Sequence, residues 1–244
     1  MRSDHCLNPF VAGEVLNTPA EQPREKKASV ATTILDAAKP MVNLERMVAA
    51  VKGQKVPESK FTAALGTLKT LSRKEGIPLA IVGGLCAIHH GYERFTKDID
   101  IVVRSGNLDI LTRVAPQYGI KVIWKDPDGW HKLQCEGVSI DIVPEGRLPR
   151  KDAPTAIPGP EQLGVRQGAG YAKIAGWMET KLGSYRVQDR ADVVQVIKVT
   201  TAATLRRIRK HLGQIHETYL ERFDELLEAA KEEKEQERER GGAK

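Results

Sequence analysis

The chain has 244 residues, 41% hydrophobic and 29% charged, with a formal net charge of +6. That length supports one sizeable core and a second, smaller helical one, and no stretch stays apolar long enough to span a bilayer as a helix. Cys6, Cys86 and Cys135 are odd in number, widely spaced and without a Cys-x-x-Cys pair, which argues against a disulfide framework or a zinc site; no apolar signal region opens the sequence, so a cytoplasmic location is expected.

Taken in chain order, residues 1–40 combine Pro9, Pro19, Pro23 and Pro40 with polar residues and are expected to be a disordered arm. A helical apolar period runs over Met41 to Val51. A second helix is predicted from Glu58 to Lys74, with Phe61, Leu65, Leu68 and Leu71 on one face and Gly76 to Pro78 as its stop. Leu79 to Val82 is an apolar strand ended by Gly83 and Gly84, a pair that permits close approach of a phosphate or of another backbone. A short helix is expected over Leu85 to Gly91, its positive end directed at whatever the loop binds. Asp98 to Val103 is the next strand, and strand alternation sets Asp98 and Asp100 on one face with Ile99 and Ile101 on the other. A lone glycine pair is an ordinary turn and a lone Asp-x-Asp an ordinary exposed edge. Together they join a phosphate-sized loop to two mutually repelling carboxylates, whose repulsion a divalent cation would relieve.

Farther along, Leu108 to Tyr118 is predicted as a helix, Ile120 to Trp124 as a strand, Asp126-Pro127-Asp128-Gly129 as a turn and Trp130 to Cys135 as the paired strand. Val138 to Val143 alternates so that Ser139 and Asp141 share a face, which makes Asp141 a third candidate carboxylate. These elements define a domain over residues 41–148 that carries all three candidate carboxylates. A Pro/Gly-rich linker is expected at 149–164, then a helical domain completing the site at 165–203, with helices over Tyr171 to Leu182 and Arg190 to Val199 and Asp189 capping the second. The segment 204–244 reads as one long charged helix: Leu205, Ile208, Leu212, Ile215, Tyr219, Phe223 and Leu226 are spaced 3, 4, 3, 4, 4 and 3, close to a coiled-coil seam. Its end is acidic, so residues 1–216 carry about +10, a balance suited to a polyanion such as NTP or tRNA. The seam is open to two readings, self-association or packing on its own domain.

The run from Gly83-Gly84 through His89-His90-Gly91 and Arg94-Phe95-Thr96-Lys97-Asp98-Ile99-Asp100 resembles the signature of the nucleotidyltransferase superfamily that includes DNA polymerase beta. It is most similar to AbiEii-type and minimal nucleotidyltransferases of toxin-antitoxin and phage-defence systems. A second string, Lys181-Leu182 followed by Arg186-Val187-Gln188-Asp189-Arg190-Ala191-Asp192-Val193, is similar to the Lys-Leu, Arg-x-x-Asp-x-x-Asp-Val motif of the same enzymes. The resemblance covers roughly residues 60–200.

That resemblance implies an α+β nucleotidyltransferase fold with a mixed, mostly antiparallel sheet flanked by helices and a C-terminal helical region. It implies transfer of NMP from an NTP to a hydroxyl of tRNA or a protein, with Mg²⁺ or Mn²⁺ held by Asp98, Asp100 and Asp141. Gly83, Gly84, Arg94, Thr96 and Lys181 would bind the nucleotide, and Asp189 or Asp192 would position Lys181 or assist catalysis. A toxin role with an antitoxin partner would follow. Gly84 departs from the usual serine and removes a hydroxyl from the phosphate grip, while His89 and His90 are expected to be structural, one buried and one near solvent. The competing reading is a catalytically idle relative that acts as a binding or regulatory protein.

Overall fold

A computed structural model describes residues 59–242 of the chain, so the arm at 1–40 and the helical period at Met41 to Val51 lie outside the described residues. The first described helix, α1 (Lys60–Glu75), buries the predicted apolar face of Phe61, Leu65, Leu68 and Leu71 and ends at Gly76, whose φ of 65° suits glycine. Next come β1 (Leu79–Ile81), α2 (Gly83–His89), β2 (Asp98–Val103), α3 (Leu108–Val114), β3 (Lys121–Trp124), β4 (Lys132–Cys135) and β5 (Val138–Pro144). The predicted helix to Tyr118 changes to a 3₁₀ turn at Ala115–Tyr118, because Pro116 removes an amide donor.

The sheet has six strands in the order β3-β4-β5-β2-β1-β6. Its β1-β2, β3-β4 and β4-β5 pairings are antiparallel, and β2-β5 and β1-β6 are parallel, so the fold is α+β with a mixed sheet. The sixth strand, β6 (Ala169–Tyr171), is a correction: it falls inside the expected helical domain and takes Tyr171, the expected start of its first helix. Ala-Gly-Tyr has no β-branched residue and no alternation, so only its pairing with β1 makes it a strand. The helix expected from Tyr171 accordingly begins later, as α4 (Ile174–Ser184), followed by α5 (Val187–Val199).

The single C-terminal helix is also corrected. Extended backbone at His216 divides it into α6 (Ala202–Ile215) and α7 (Glu217–Gly242). The halves fold back on each other, with Arg209 Nε 2.8 Å from Asp224 Oδ1. The antiparallel partner that the charge pattern asks for is therefore the chain itself, and Ile208, Leu212, Tyr219, Phe223 and Leu226 are buried in a core continuous with that of the sheet. Among the described residues no helix is long and apolar enough to cross a membrane.

Candidate functional site

Parallel pairing of β2 with β5 places Asp98 opposite Ser139 and Asp100 opposite Asp141. All four side chains share the face opposite fully buried Ile99 and Ile140, so the sheet register itself gathers three carboxylates. Thr96 Oγ1 donates to Asp98 Oδ1 at 3.0 Å, and Ser139 Oγ donates to Asp141 Oδ1 at 3.2 Å. Lys132 Nζ lies 3.3 Å from the same Asp141 oxygen. Burial pushes the Asp100 carboxyl up to about 6; Asp98 and Asp141 add repulsion, and Lys181 and Arg186 act in the opposite direction.

The glycine pair meets these acids directly. Val82 N–H donates to Asp100 O at 2.9 Å. Gly83 has a φ of +60°, and a Cβ there would fall 1.7 Å from Asp100 Oδ2, so only glycine permits this approach. At Gly84 a Cβ would lie 2.8 Å from Thr96 Oγ1. The absence of serine at this position thus has a local cause: the Thr96 side chain fills the space.

Lys181 is buried at 6% exposure and donates from Nζ to Asp189 Oδ1 and Asp192 Oδ2, each at 2.8 Å. Asp192 also accepts from Arg94 Nη1 at 2.7 Å, which joins the two motifs of the sequence in one ion-pair network. Asp189 is not the cap of α5. It is the third residue of the helix and reaches back to the Arg186 backbone amide at 3.2 Å, while Arg186 Nε donates to it at 2.8 Å and Ser184 Oγ at 2.6 Å. Burial alone would raise the Asp189 carboxyl, but its bonds to Arg186 and the charge of Lys181 outweigh that and hold it at about 2.

A cleft of about 250 Å³ opens between these groups. Asp100, Gly83, Lys181, Asp189 and Arg186 line it, together with Arg150 from the Pro/Gly-rich segment. Asp98, Asp141, Gly84, Thr96 and Arg94 are not among its lining residues; Asp98 and Asp141 flank Asp100 on the sheet face, and Arg94 reaches Lys181 only through Asp192. Arg186 and Arg150 were not singled out from the sequence, although Arg186 lies inside the second motif and Arg150 inside the expected linker. A loop arginine carries no signal until the fold brings it to a cleft.

His89 stacks on Tyr171 with ring centroids 4.2 Å apart, and His90 Nε2 lies 3.0 Å from Ala172 O. Both are half-buried, so neither is the solvent-facing one that was expected. Burial and the neighbouring His89 lower His90 to about 4, which keeps it neutral and structural.

Among the described residues, no three His, Cys, Asp or Glu side chains stand close enough to form a preformed metal cluster. Mg²⁺ does not need one, because it binds through one or two carboxylates and completes its shell with water and substrate phosphates. The crowded, half-buried Asp98 and Asp100, with Asp141 across the strands, suit such an ion as hard oxygen donors.

No protein-family model matches the chain, and no curated protein matches it. Solved structures similar in shape include two of ANT(2'')-Ia. One is the solution structure of the antibiotic-resistance factor ANT(2'')-Ia, at 14% identity and a TM-score of 0.38, covering 75% of this chain and 97% of that one. The other is a crystal structure of ANT(2'')-Ia in complex with adenylyl-2''-tobramycin, at 10% identity and a TM-score of 0.35, covering 70% and 96%. At this level of similarity neither likeness fixes a family or an activity.

Proposed function

We propose that the protein is a metal-dependent nucleotidyltransferase that moves an NMP from an NTP to a hydroxyl of tRNA or a protein. The observation that carries this reading is the β2-β5 register, which sets Asp98, Asp100 and Asp141 on one face beside the Gly83 loop. In the reaction an acceptor oxygen bonds to the α-phosphorus and the bond to the β-phosphate oxygen breaks. Pyrophosphate leaves, and the hydroxyl proton passes to a carboxylate or to solvent.

Asp98, Asp100 and Asp141 would hold Mg²⁺, which when bound supplies charge stabilisation to the attacking and leaving oxygens. Asp141, steadied by Lys132 and Ser139, would ligate the metal beside the acceptor hydroxyl and favour its deprotonation. Gly83, lacking a Cβ, brings the loop backbone against Asp100. Arg186, Arg150 and Lys181 offset the negative charge of the triphosphate, and Asp189 and Asp192 fix Lys181 in place. Arg94 and Thr96 position Asp192 and Asp98. The similarity of both motifs to AbiEii-type enzymes supports tRNA or protein as acceptor and a toxin role opposed by an antitoxin.

One observation favours the second reading, an idle relative used for binding: Lys181 already bonds two carboxylates. Incubation with each labelled NTP, Mg²⁺ and total tRNA or cell protein separates the two. Transfer by wild type, reduced at least a hundredfold by Asp98→Ala, is the expected result; no transfer with any NTP, or equal transfer by the variant, rejects the enzyme.

A further inference from the structure

The ionic side of the cleft has an apolar counterpart. Trp130, Val143, Pro149 and Ile157 form part of the same lining. Their location follows from the sheet. On β5, Val143 lies two residues beyond Asp141 on the same face, about 7 Å further along the strand. The antiparallel pairing of Lys132 with Asp141 continues one step, where Ile142 N–H donates to His131 O at 2.9 Å, so the next step sets Trp130 across from Val143.

The Pro/Gly-rich segment supplies the rest of this wall. Ile157 N–H donates to Arg147 O at 2.9 Å, folding the segment back on itself. Arg150 Nη1 donates to Ser184 O at 3.4 Å and fastens it to the end of α4, where Pro149 packs near Gly183. A half-buried indole and three aliphatic side chains, one strand step from a carboxylate row, make a surface for a flat ring attached to a polyphosphate.

We propose that this wall binds the nucleobase of the donor NTP, with Trp130 as the stacking residue, and that it reads the base by stacking rather than by its edge. The inference rests on the nucleotidyltransferase reading of the cleft. Its second half follows from the hydroxyls that line it. Thr180 Oγ1 donates to Trp177 O at 2.7 Å and Ser184 Oγ to Asp189 Oδ2 at 2.6 Å, so both spend their proton within the protein. Arg150 Nε is paired with Asp152. Stacking accepts any base because each has a π-face, so ATP, GTP, CTP and UTP should bind within about tenfold of one another.

Titration calorimetry of the full chain with Mg²⁺ tests this, using the four NTPs and inorganic tripolyphosphate as probes. Wild type should bind each NTP at least tenfold more tightly than tripolyphosphate. Trp130→Ala should weaken NTP binding about tenfold to a hundredfold, the range that loss of one stacking contact gives, and leave tripolyphosphate within twofold. Trp130→Phe should keep most of the affinity, whereas Trp130→Leu, which preserves apolar volume for folding, should not. Equal binding of NTP and tripolyphosphate, or NTP binding unchanged in both Trp130→Ala and Trp130→Leu, overturns the stacking role while leaving the phosphate site intact. A preference above a hundredfold for one NTP overturns reading by stacking. Failure of wild type to bind any of these probes rejects the nucleotidyltransferase reading and this inference with it.

Discussion

Gly84 and Thr96 show how one residue's identity depends on another far from it in the backbone path. A serine at position 84 would add a hydroxyl beside the Gly83 loop, yet its Cβ would fall 2.8 Å from Thr96 Oγ1 and 3.1 Å from Thr96 Cβ. Overpacking of this kind costs about 1–3 kcal/mol. We therefore expect Gly84→Ser to lower stability and to decrease transfer rather than increase it, because the displaced Thr96 no longer steadies Asp98. Urea unfolding with a parallel transfer assay checks this, and Gly84→Ser combined with Thr96→Ala should recover part of the lost stability. Asp192 presents a larger effect. It is fully buried and receives both Arg94 and Lys181, so Asp192→Ala takes its carboxylate from half-buried Arg94 and leaves buried Lys181 with Asp189 alone. Removing one member of a buried pair costs about 3–5 kcal/mol. A loss of unfolding free energy of that size, read as a lower urea midpoint at unchanged slope, is the expected outcome, and a change below about 1 kcal/mol would show that the network is dispensable to the fold.

Between the elements, α4 and α5 meet through Lys181, Asp189 and the back-reaching bond to Arg186, and this junction has a defined pH dependence. The Asp189 carboxyl is held at about 2, below its ordinary 3.8. The unfolded chain then takes up a proton before the folded one does, so the stabilisation is complete above pH 4 and is lost as pH falls toward 2. Asp100 has the opposite sign. Raised to about 6 from 3.8, it is protonated in the folded state and ionised in the unfolded state between these values, so stability falls as pH rises from about 4 to 6. Each displacement of about two units corresponds to about 2–3 kcal/mol. Metal-free stability should therefore pass through a maximum near pH 4, and Asp100→Asn should flatten the upper limb only. A series of denaturant midpoints from pH 2.5 to 7 checks both limbs. At the α6-α7 hairpin, Phe223 is fully buried and Phe223→Ala should cost about 3–5 kcal/mol, whereas Arg209→Ala, at an exposed pair with Asp224, should cost less than about 1 kcal/mol.

At the scale of the whole molecule, the acidic C-terminal segment meets the basic body through two cations among the described residues. Lys198 of α5 pairs with Glu233 and Glu237 of α7, and Arg209 pairs with Asp224. The long seam that suggested self-association is likewise used internally, with Ile208, Leu212, Tyr219 and Phe223 all at or below 2% exposure. What the linear sequence determined is the set of local devices. The α1 stripe, the Gly76 stop, the Asp98 to Val103 strand and the alternation of β5 depend on periodicity and turn chemistry within a few residues. The three carboxylates were legible for the same reason, because strand alternation assigns a face without knowledge of the fold, whereas Lys181 stood out only through the resemblance of its motif. Only the tertiary structure decided the rest. Ala169–Tyr171 becomes a strand because β1 offers its edge, and the C-terminal helix turns back at His216 because the core covers both halves of its seam. Arg150, Arg186 and Trp130 join the cleft because sheet order and the folded Pro/Gly-rich segment bring them there; each relation spans tens of residues, a distance at which no local pattern in the chain records which side chains will meet.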